Sequence, residues 1–399
     1  MMRLALAGGG TGGHVYPILS VLATIQSKRP DLDIYSNVFY LGSSAGIESR
    51  LAGDRGIAFH HINSAPVRGR SPISIALNLL RNCAGAFQSA MILRRHRTQA
   101  VLATGGYSSV PVVIAAWLLG IPSLIYLPDA YPGWAVKFLS SFASKIAVTT
   151  PEAAAHLGND KTVITGYPVR PEFFLLDKAS ARQTLSLERE GKVVLIMGGS
   201  QGAASINQAV EERLEEFVET AQIMHVCGPR DLERLQRKKE GLSPSLSAGY
   251  HLYGYLNEEL PYAMVASDLV ICRSGASVLG ELPAAGVAAI LVPYPHAGAH
   301  QMLNARVLAE AGAAVMIEDQ NIERLMPLAL ELLKDDKTRL DMASKSKRIA
   351  APNAAEKIFL LMQDLVNEHS GRGSRPLDAA LRPSPGELTT GPGRQHDES

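Results

Sequence analysis

Two glycine-rich segments in this chain of 399 residues carry the residue types that bind phosphate groups. The first is GGGTGGH at positions 8–14, and the second is MGGSQGA at positions 197–203. Each segment follows a short apolar run and precedes a helical pattern, so its backbone N–H groups are predicted to face an anion from a helix N-terminus. We therefore expect two phosphate-binding turns, one in each half of the chain.

A third turn, RSGAS at positions 273–277, leads to Glu281 in the next predicted helix. A carboxylate at this place can accept both hydrogen bonds of a ribose 2′,3′-diol. Further along, His300, Gln301 and Asn304 lie on adjacent turns at the start of another predicted helix. Amide and imidazole groups in this arrangement suit hydroxyl-rich ligands such as sugars.

The first turn also contains the spacing G-x-G-x-x-G, which is found in nicotinamide dinucleotide sites. Such a site needs an acidic residue at the end of the second strand to hold the ribose hydroxyls. The segment YLGSS at positions 40–44 contains none. The dinucleotide oxidoreductase interpretation is therefore disfavoured, whereas the prediction of a diphosphate-binding turn stands.

Short apolar runs that alternate with helical patterns indicate that these turns belong to an α/β fold with parallel sheets. Residues 166–171 (GYPVRP) contain one glycine and two prolines and mark a linker. We expect two doubly wound domains facing a cleft, residues 1–165 and 166–354. A last helix is expected at 355–369, packing back on the first domain, and a disordered tail at 370–399. The predicted strands cover residues 4–7, 38–41, 100–103, 123–126, 145–148, 193–197, 223–226, 250–253, 269–272 and 289–292.

The composition excludes several classes of protein. Lys and Arg number 39 against 38 Asp and Glu, so the formal net charge is only +1 and a nucleic-acid partner is not expected. Cys83, Cys227 and Cys272 lie far apart without a CxxC spacing, which argues against a disulfide scaffold or a zinc ribbon. The most apolar stretch, residues 110–126, is interrupted by Gly120 and Pro122, so no transmembrane segment is predicted.

Six separated segments together resemble the MurG family, the peripheral membrane glycosyltransferases of bacterial peptidoglycan synthesis. These enzymes move N-acetylglucosamine (GlcNAc) from UDP-GlcNAc onto undecaprenyl-pyrophosphoryl-MurNAc-pentapeptide, called lipid I, to give lipid II. The resemblance covers about residues 1–368 and implies a GT-B fold, with the acceptor bound by the first domain and the nucleotide sugar by the second. The segments are GGGTGGHVYP at 8–17, ATGGYSSVP at 103–111, GYPVRPEF at 166–173, MGGSQGAASIN at 197–207, CRSGASVLGELPAAG at 272–286 and HQMLNA at 300–305.

The resemblance implies roles for individual residues. On the acceptor side it places the diphosphate at Thr11, Gly12 and Gly13, with a companion loop of Gly105, Gly106 and Tyr107, and it makes His14 a candidate base. On the donor side it assigns binding to Arg170, Ser200, Gln201, Arg273, Ser274, Gly275, Glu281, Gln301 and Asn304. The implied reaction is an inverting displacement that needs neither metal nor cofactor.

One segment departs from the family pattern. The family usually has His-Glu-Gln-Asn after the strand at 123–126, where this chain has Tyr126, Leu127, Pro128 and Asp129. Smaller departures are Tyr167 in place of asparagine and His300 in place of glutamine. Asp129 becomes a second candidate base. These changes leave open a diverged transferase with another UDP-sugar or lipid acceptor, or a UDP-sugar-binding protein without catalytic activity.

A lipid acceptor also requires an approach to the membrane. Residues 73–81 are apolar on one side and are flanked by Arg68, Arg70, Arg81, Arg94, Arg95 and Arg97, a pattern typical of an interfacial helix on anionic lipid. A core-packing helix with solvated arginines is the alternative. The resemblance favours a peripheral protein on the anionic cytoplasmic face of the inner membrane, in contact with lipid I, UDP-GlcNAc and other cell-wall enzymes.

Overall fold

The computed structural model describes residues 2–9, 12–43, 46–66, 72–158, 160–199, 202–295 and 299–371. Three predicted site residues, Thr11, Ser200 and Gln201, lie outside these ranges, as do residues 372–399 of the predicted tail.

A fully parallel sheet of seven strands forms the centre of the first domain in the described part of the chain, in the order β3-β2-β1-β4-β5-β6-β7. Its strands are β1 Leu4–Ala7, β2 Val38–Gly42, β3 Ala58–His61, β4 Ala100–Ala103, β5 Ser123–Leu127, β6 Lys145–Val148 and β7 Thr162–Ile164. The helices of this part of the chain are α1 Gly12–Lys28, α2 Glu48–Gly53, α3 Pro72–Arg95, α4 Ser109–Leu118, α5 Trp134–Leu139 and α6 Pro151–Leu157.

The second domain repeats this plan with six parallel strands among the described residues, in the order β10-β9-β8-β11-β12-β13. Its strands are β8 Val193–Met197, β9 Gln222–Val226, β10 Tyr250–Tyr253, β11 Leu269–Cys272, β12 Ala288–Leu291 and β13 Ala314–Met316. The helices that follow β7 are α7 Glu172–Leu175, α8 Lys178–Thr184, α9 Ala204–Glu212, α10 Leu214–Thr220, α11 Leu232–Glu240, α12 Pro244–Ala248, α13 Leu260–Ala266, α14 Val278–Ala285, α15 His300–Glu310, α16 Leu325–Lys334, α17 Asp336–Arg348 and α18 Ala354–His369.

Apolar cores on both faces of each sheet explain why the central strands are continuous apolar runs. In β1, for example, Leu4 and Leu6 pack in one core and Ala5 and Ala7 in the other. Helices cover these faces, as expected for doubly wound domains. The predicted fold class is therefore confirmed.

All ten predicted strands are present, with ends that differ by one residue at most. The strands β3, β7 and β13 were not predicted. Each is an edge strand of three or four residues with partly exposed positions. β3 and β7 carry no long apolar run, whereas β13 lies in the apolar segment 313–317, which the prediction missed. The helical segment that follows β8 is divided into α9 and α10, because Arg213 has a non-helical backbone (φ −125°, ψ 28°).

The last helix, α18, packs against the first domain. Ile358, Met362 and Leu365 lie in the same core as Val15 and Leu19 of α1. An ion pair between Lys28 and Glu356 joins the two helices. The chain thus passes between the domains twice. Among the described residues, no helix combines the length with the apolarity that a membrane crossing requires.

Candidate active site

The strand order of each sheet reverses at one point, and ligands of open α/β sheets bind beside the carboxyl ends of the strands at that point. In the first sheet the reversal lies between β1 and β4, where Gly8 and Gly9 lie against Thr104 and Gly106. In the second sheet it lies between the neighbouring strands β8 and β11, whose carboxyl ends lead to Gly198 and Arg273. The topology therefore brings the predicted turns of each half together.

The turn at Gly8–Gly9 and the turn at 104–108, called the acceptor-side turns after their predicted role, contact each other at their glycines. Gly105 and Gly106 have φ values of 87° and 76°, a region that L-residues rarely adopt. A Cβ on Gly106 would lie 2.5 Å from the carbonyl oxygen of Gly9. Beside them, Tyr107 lines a cavity of about 440 Å³ that extends to Asn78 and Arg81 of α3. Backbone groups are thus brought close together next to a space for a ligand.

His14 lies in the first turn of α1, and its Nδ1 is 2.9 Å from the carbonyl oxygen of Thr104. A carbonyl oxygen only accepts hydrogen bonds, so Nδ1 carries the proton and Nε2 of the neutral ring keeps its lone pair. Burial lowers the pKa of His14, whereas the Asp129 carboxylate and the Thr104 carbonyl act in the opposite direction. The ring is consequently held in the tautomer that a general base requires.

Asn304 joins the two domains. Its side-chain oxygen accepts a hydrogen bond from the backbone N–H of Ala130 at 2.9 Å. Its Nδ2 donates to Oδ1 of Asp129 at 2.9 Å and to the carbonyl of Ser274 at 3.1 Å. Both amide hydrogens of this fully buried side chain are used. The structure thus shows Asn304 bridging the two domains and holding Asp129 against the second domain, while the predicted sugar contact stays a prediction.

Arg170 lies close enough to Glu281 for its charge to affect the pKa of that carboxyl. Arg170 donates to the carbonyl of Asn257 at 2.8 Å. Burial raises the pKa of Glu281, while Ser277 and the Arg170 guanidinium act in the opposite direction. Opposite this pair, the hydroxyls of Tyr16 in the first domain and Tyr255 in the second are 3.0 Å apart.

The Arg273 guanidinium, predicted to bind the donor, is held by two side chains of its own domain. Its guanidinium pairs with Asp319 at 2.5 Å and donates to the Ser205 hydroxyl at 2.7 Å. The neighbouring Ser274 hydroxyl donates to the carbonyl of Gln301 at 2.8 Å. The side-chain oxygen of Gln301 accepts from the N–H of Tyr294. The structure uses these side chains to hold the third turn and the start of α15 together.

The remaining predicted residues lie at the same strand ends. Gly12 and Gly13 form the start of α1, and open space surrounds Gly275, where an added Cβ would meet nothing within 4 Å. His300 places its ring against Gly133 and Tyr131 of the first domain. In the described part of the chain there is no group of three or more His, Cys, Asp or Glu side chains able to hold a metal ion.

Two residues that contribute to this region were not predicted. Tyr255 follows the carboxyl end of β10, on the same side of the sheet as the turns after β8 and β11. Glu48 begins α2 and is fully buried beside the first glycine turn. The only indication of Glu48 in the sequence is its position as a lone carboxylate shortly after Gly42 and Gly46.

Comparison with known proteins agrees with this geometry. Residues 4–148 match the N-terminal domain of glycosyltransferase family 28, and residues 193–358 match its C-terminal domain. A relative from Desulforudis audaxviator is 38% identical over 94% of this chain and all of its own length, and one from Roseiflexus sp. is 36% identical over 92% of this chain and 95% of its own. Both are named UDP-N-acetylglucosamine–N-acetylmuramyl-(pentapeptide) pyrophosphoryl-undecaprenol N-acetylglucosamine transferase. The chain belongs to the MurG glycosyltransferase family.

Solved structures support the same assignment. MurG of Acinetobacter baumannii is 27% identical, covers 91% of this chain and 100% of its own, and superposes with a TM-score of 0.70. The UDP-GlcNAc 2-epimerase of Neisseria meningitidis has a TM-score of 0.63 over 91% of this chain and 100% of its own, at 15% identity, which is a likeness of fold alone. The MurG family and its neighbours therefore share the two-domain architecture found here.

Proposed function

We propose that this protein transfers GlcNAc from UDP-GlcNAc to the MurNAc sugar of lipid I, forming lipid II and UDP. Membership of the MurG family supports the reaction and both substrates. The observation that carries the proposal is the position of His14, whose tautomer leaves Nε2 ready to accept a proton where the two acceptor-side turns meet.

The proposed chemistry is a single inverting displacement. Nε2 of His14 accepts the proton of the acceptor hydroxyl while the hydroxyl oxygen forms a bond to the anomeric carbon of GlcNAc. The bond from that carbon to the β-phosphate oxygen breaks, and its electron pair leaves with UDP. A base that is neutral near pH 7 suits this step, and the burial that lowers the pKa of His14 favours the neutral form.

Donor binding is proposed for the second domain. Glu281 would accept hydrogen bonds from the ribose hydroxyls, and Arg170 would balance part of the charge that develops on the leaving diphosphate. The N–H groups at the start of α9 add to this stabilisation through the helix dipole. Arg273 acts indirectly in this scheme, because Asp319 already neutralises it.

Transfer of labelled GlcNAc from UDP-GlcNAc to purified lipid I tests the proposal, with lipid II identified by mass. We expect turnover with UDP-GlcNAc that exceeds turnover with UDP-glucose or UDP-galactose, and that persists in a chelator. Faster turnover with another UDP-sugar would favour a diverged transferase. UDP-GlcNAc binding without any turnover would favour a binding protein.

We further propose that α3 rests on the anionic cytoplasmic surface of the membrane. Ile73, Leu77, Leu80, Phe87 and Met91 recur every three, four or seven residues, and each is more than half exposed. Such an exposed apolar stripe is typical of an interfacial helix. Arg81, Arg94 and Arg95 lie on the same helix and would face anionic headgroups.

Flotation with phosphatidylglycerol vesicles tests this surface. The double variant Leu80→Ser and Phe87→Ser should lose most vesicle binding while UDP-GlcNAc binding is retained. Leu340→Ser is the matched control, since Leu340 is 63% exposed on α17 of the other domain. Equal binding of the double variant and the control would contradict the proposed membrane surface.

A further inference from the structure

Glu48 is a fully buried carboxylate directly beneath the acceptor-side turns. Burial of a carboxylate is costly unless its oxygens accept hydrogen bonds. One such bond comes from the backbone N–H of Ser43, 3.2 Å from Oε1. This buried carboxylate therefore lies next to a proposed binding site, and its contacts with the neighbouring backbone indicate what it does there.

Three glycines make room for this carboxylate. A Cβ on Gly46 or on Gly9 would overlap the carboxylate of Glu48. A Cβ on Gly42 would lie 2.8 Å from Cγ of the same side chain. Gly9 belongs to the first glycine turn, whereas Gly42 is the last residue of β2 and Gly46 lies between β2 and α2. Glu48 therefore packs directly against the backbone of two separate segments.

The first turn is held from the other directions as well. Gly106 packs against the carbonyl of Gly9, as described above. The hydroxyl of Tyr40, a fully buried residue of β2, donates to the carbonyl of Gly8 at 2.5 Å. With Glu48 on one side and Gly106 on the other, the peptide planes of residues 8 and 9 have little freedom. Residues 8 and 9 lie shortly before Gly12, the first residue of α1.

We infer that Glu48 is a positioning residue for the acceptor diphosphate, acting through the backbone of Gly9, Gly42 and Gly46. This inference rests on the proposed function, which places the diphosphate at the start of α1. Glu48 itself is too deeply buried to touch the acceptor. Its removal should thus weaken acceptor binding and leave donor binding, which belongs to the other domain, unchanged.

Glu48→Gln tests the inference because it keeps the shape of the side chain and removes the charge. We expect the KM for lipid I to rise about tenfold, because the hydrogen bond from the Ser43 N–H to a charged acceptor is replaced by a weaker one to a neutral amide oxygen. The Kd for UDP-GlcNAc should stay within twofold of wild type. Glu356→Gln is the matched control, since it neutralises another buried carboxylate of the first domain, one paired with Lys28 away from the turns. Its KM for lipid I should not change.

Gly46→Ala provides a second test that alters no charge, because its methyl group must displace the Glu48 carboxylate. We expect the same selective rise in the KM for lipid I. Gly53→Ala, at the end of α2, is its control, since an added Cβ there meets nothing within 4 Å. This pair keeps the inference testable if Glu48→Gln fails to fold.

The outcomes separate this inference from the proposed function. Loss of lipid I affinity in both Glu48→Gln and Gly46→Ala, with donor affinity retained, supports the inference. An unchanged KM for lipid I, or donor and acceptor constants that change together with the melting temperature, overturns it. A wild-type protein that binds lipid I in calorimetry but transfers no GlcNAc contradicts the proposed function, and the variants are then compared by their Kd for lipid I.

Discussion

Asn304→Ala removes a side chain that joins the second domain, the proposed donor domain, to the first. Two of its hydrogen bonds cross the cleft, one from the Ala130 N–H and one to the Asp129 carboxylate, both at 2.9 Å. The third, to the Ser274 carbonyl, stays within the donor domain. The substitution therefore weakens the contact between the two domains more than it lowers the stability of either domain.

The magnitude follows from the partners. A neutral hydrogen bond contributes about 1 kcal/mol and a bond to a charged group about 1.5–3 kcal/mol. The two cross-domain bonds together stabilise the contact between the domains by about 2.5–4 kcal/mol. At about 1.4 kcal/mol for each factor of ten, kcat/KM should fall roughly 60- to 700-fold.

Steady-state transfer of GlcNAc to lipid I measures this loss, and calorimetry with UDP measures nucleotide binding, which is proposed to involve the second domain alone. We expect the Kd for UDP to change by less than about threefold, because one neutral bond of about 1 kcal/mol is lost within that domain. Asn257→Ala is the control, since the hydrogen bonds of Asn257 among the described residues use its backbone. A kcat/KM within threefold of wild type for Asn304→Ala, in a normally folded protein, would refute the reasoning.

Three further predictions concern the acceptor side. His14→Ala should lower kcat by about 10²–10⁴-fold while the Kd for UDP-GlcNAc is retained, and a kcat near wild type would exclude His14 as the base. Asp129→Asn should shift the acidic limb of the kcat/KM profile to lower pH. The carboxylate raises the pKa of His14, so its loss lets the base stay unprotonated in more acidic solution; an unmoved limb would contradict this. Gly106→Ala should destabilise the protein by about 1–3 kcal/mol and impair transfer, because its φ of 76° and the carbonyl of Gly9 at 2.5 Å leave no place for a methyl group. Thermal unfolding and GlcNAc transfer check this together, and an unchanged melting temperature would count against it.

Local pattern was sufficient to predict most of the fold. The central strands are buried on both faces, so their sequences are continuous apolar runs that can be recognised without a structure. The glycine turns could be located because phosphate-facing backbone at a helix N-terminus needs residues without side chains. Both signals lie within a few neighbouring residues. The edge strands β3 and β7 lack them, since partial exposure leaves them no long apolar run, whereas β13 lies in the apolar segment 313–317 and was missed because the strand is only three residues long.

Tertiary structure decided what each polar side chain of the site does. Asn304 and Asp129 are 175 residues apart in the chain, and no local pattern indicates that they share a hydrogen bond. Arg273 has the residue type that binds a diphosphate, but its pairing with Asp319, 46 residues away, gives it another partner. Glu48 looks like an ordinary charge at the start of a helix until the glycines of two segments close around it. Residue type and local spacing determine which groups are available for chemistry, whereas the partners of those groups depend on contacts between distant segments that form only when the two domains are folded and docked.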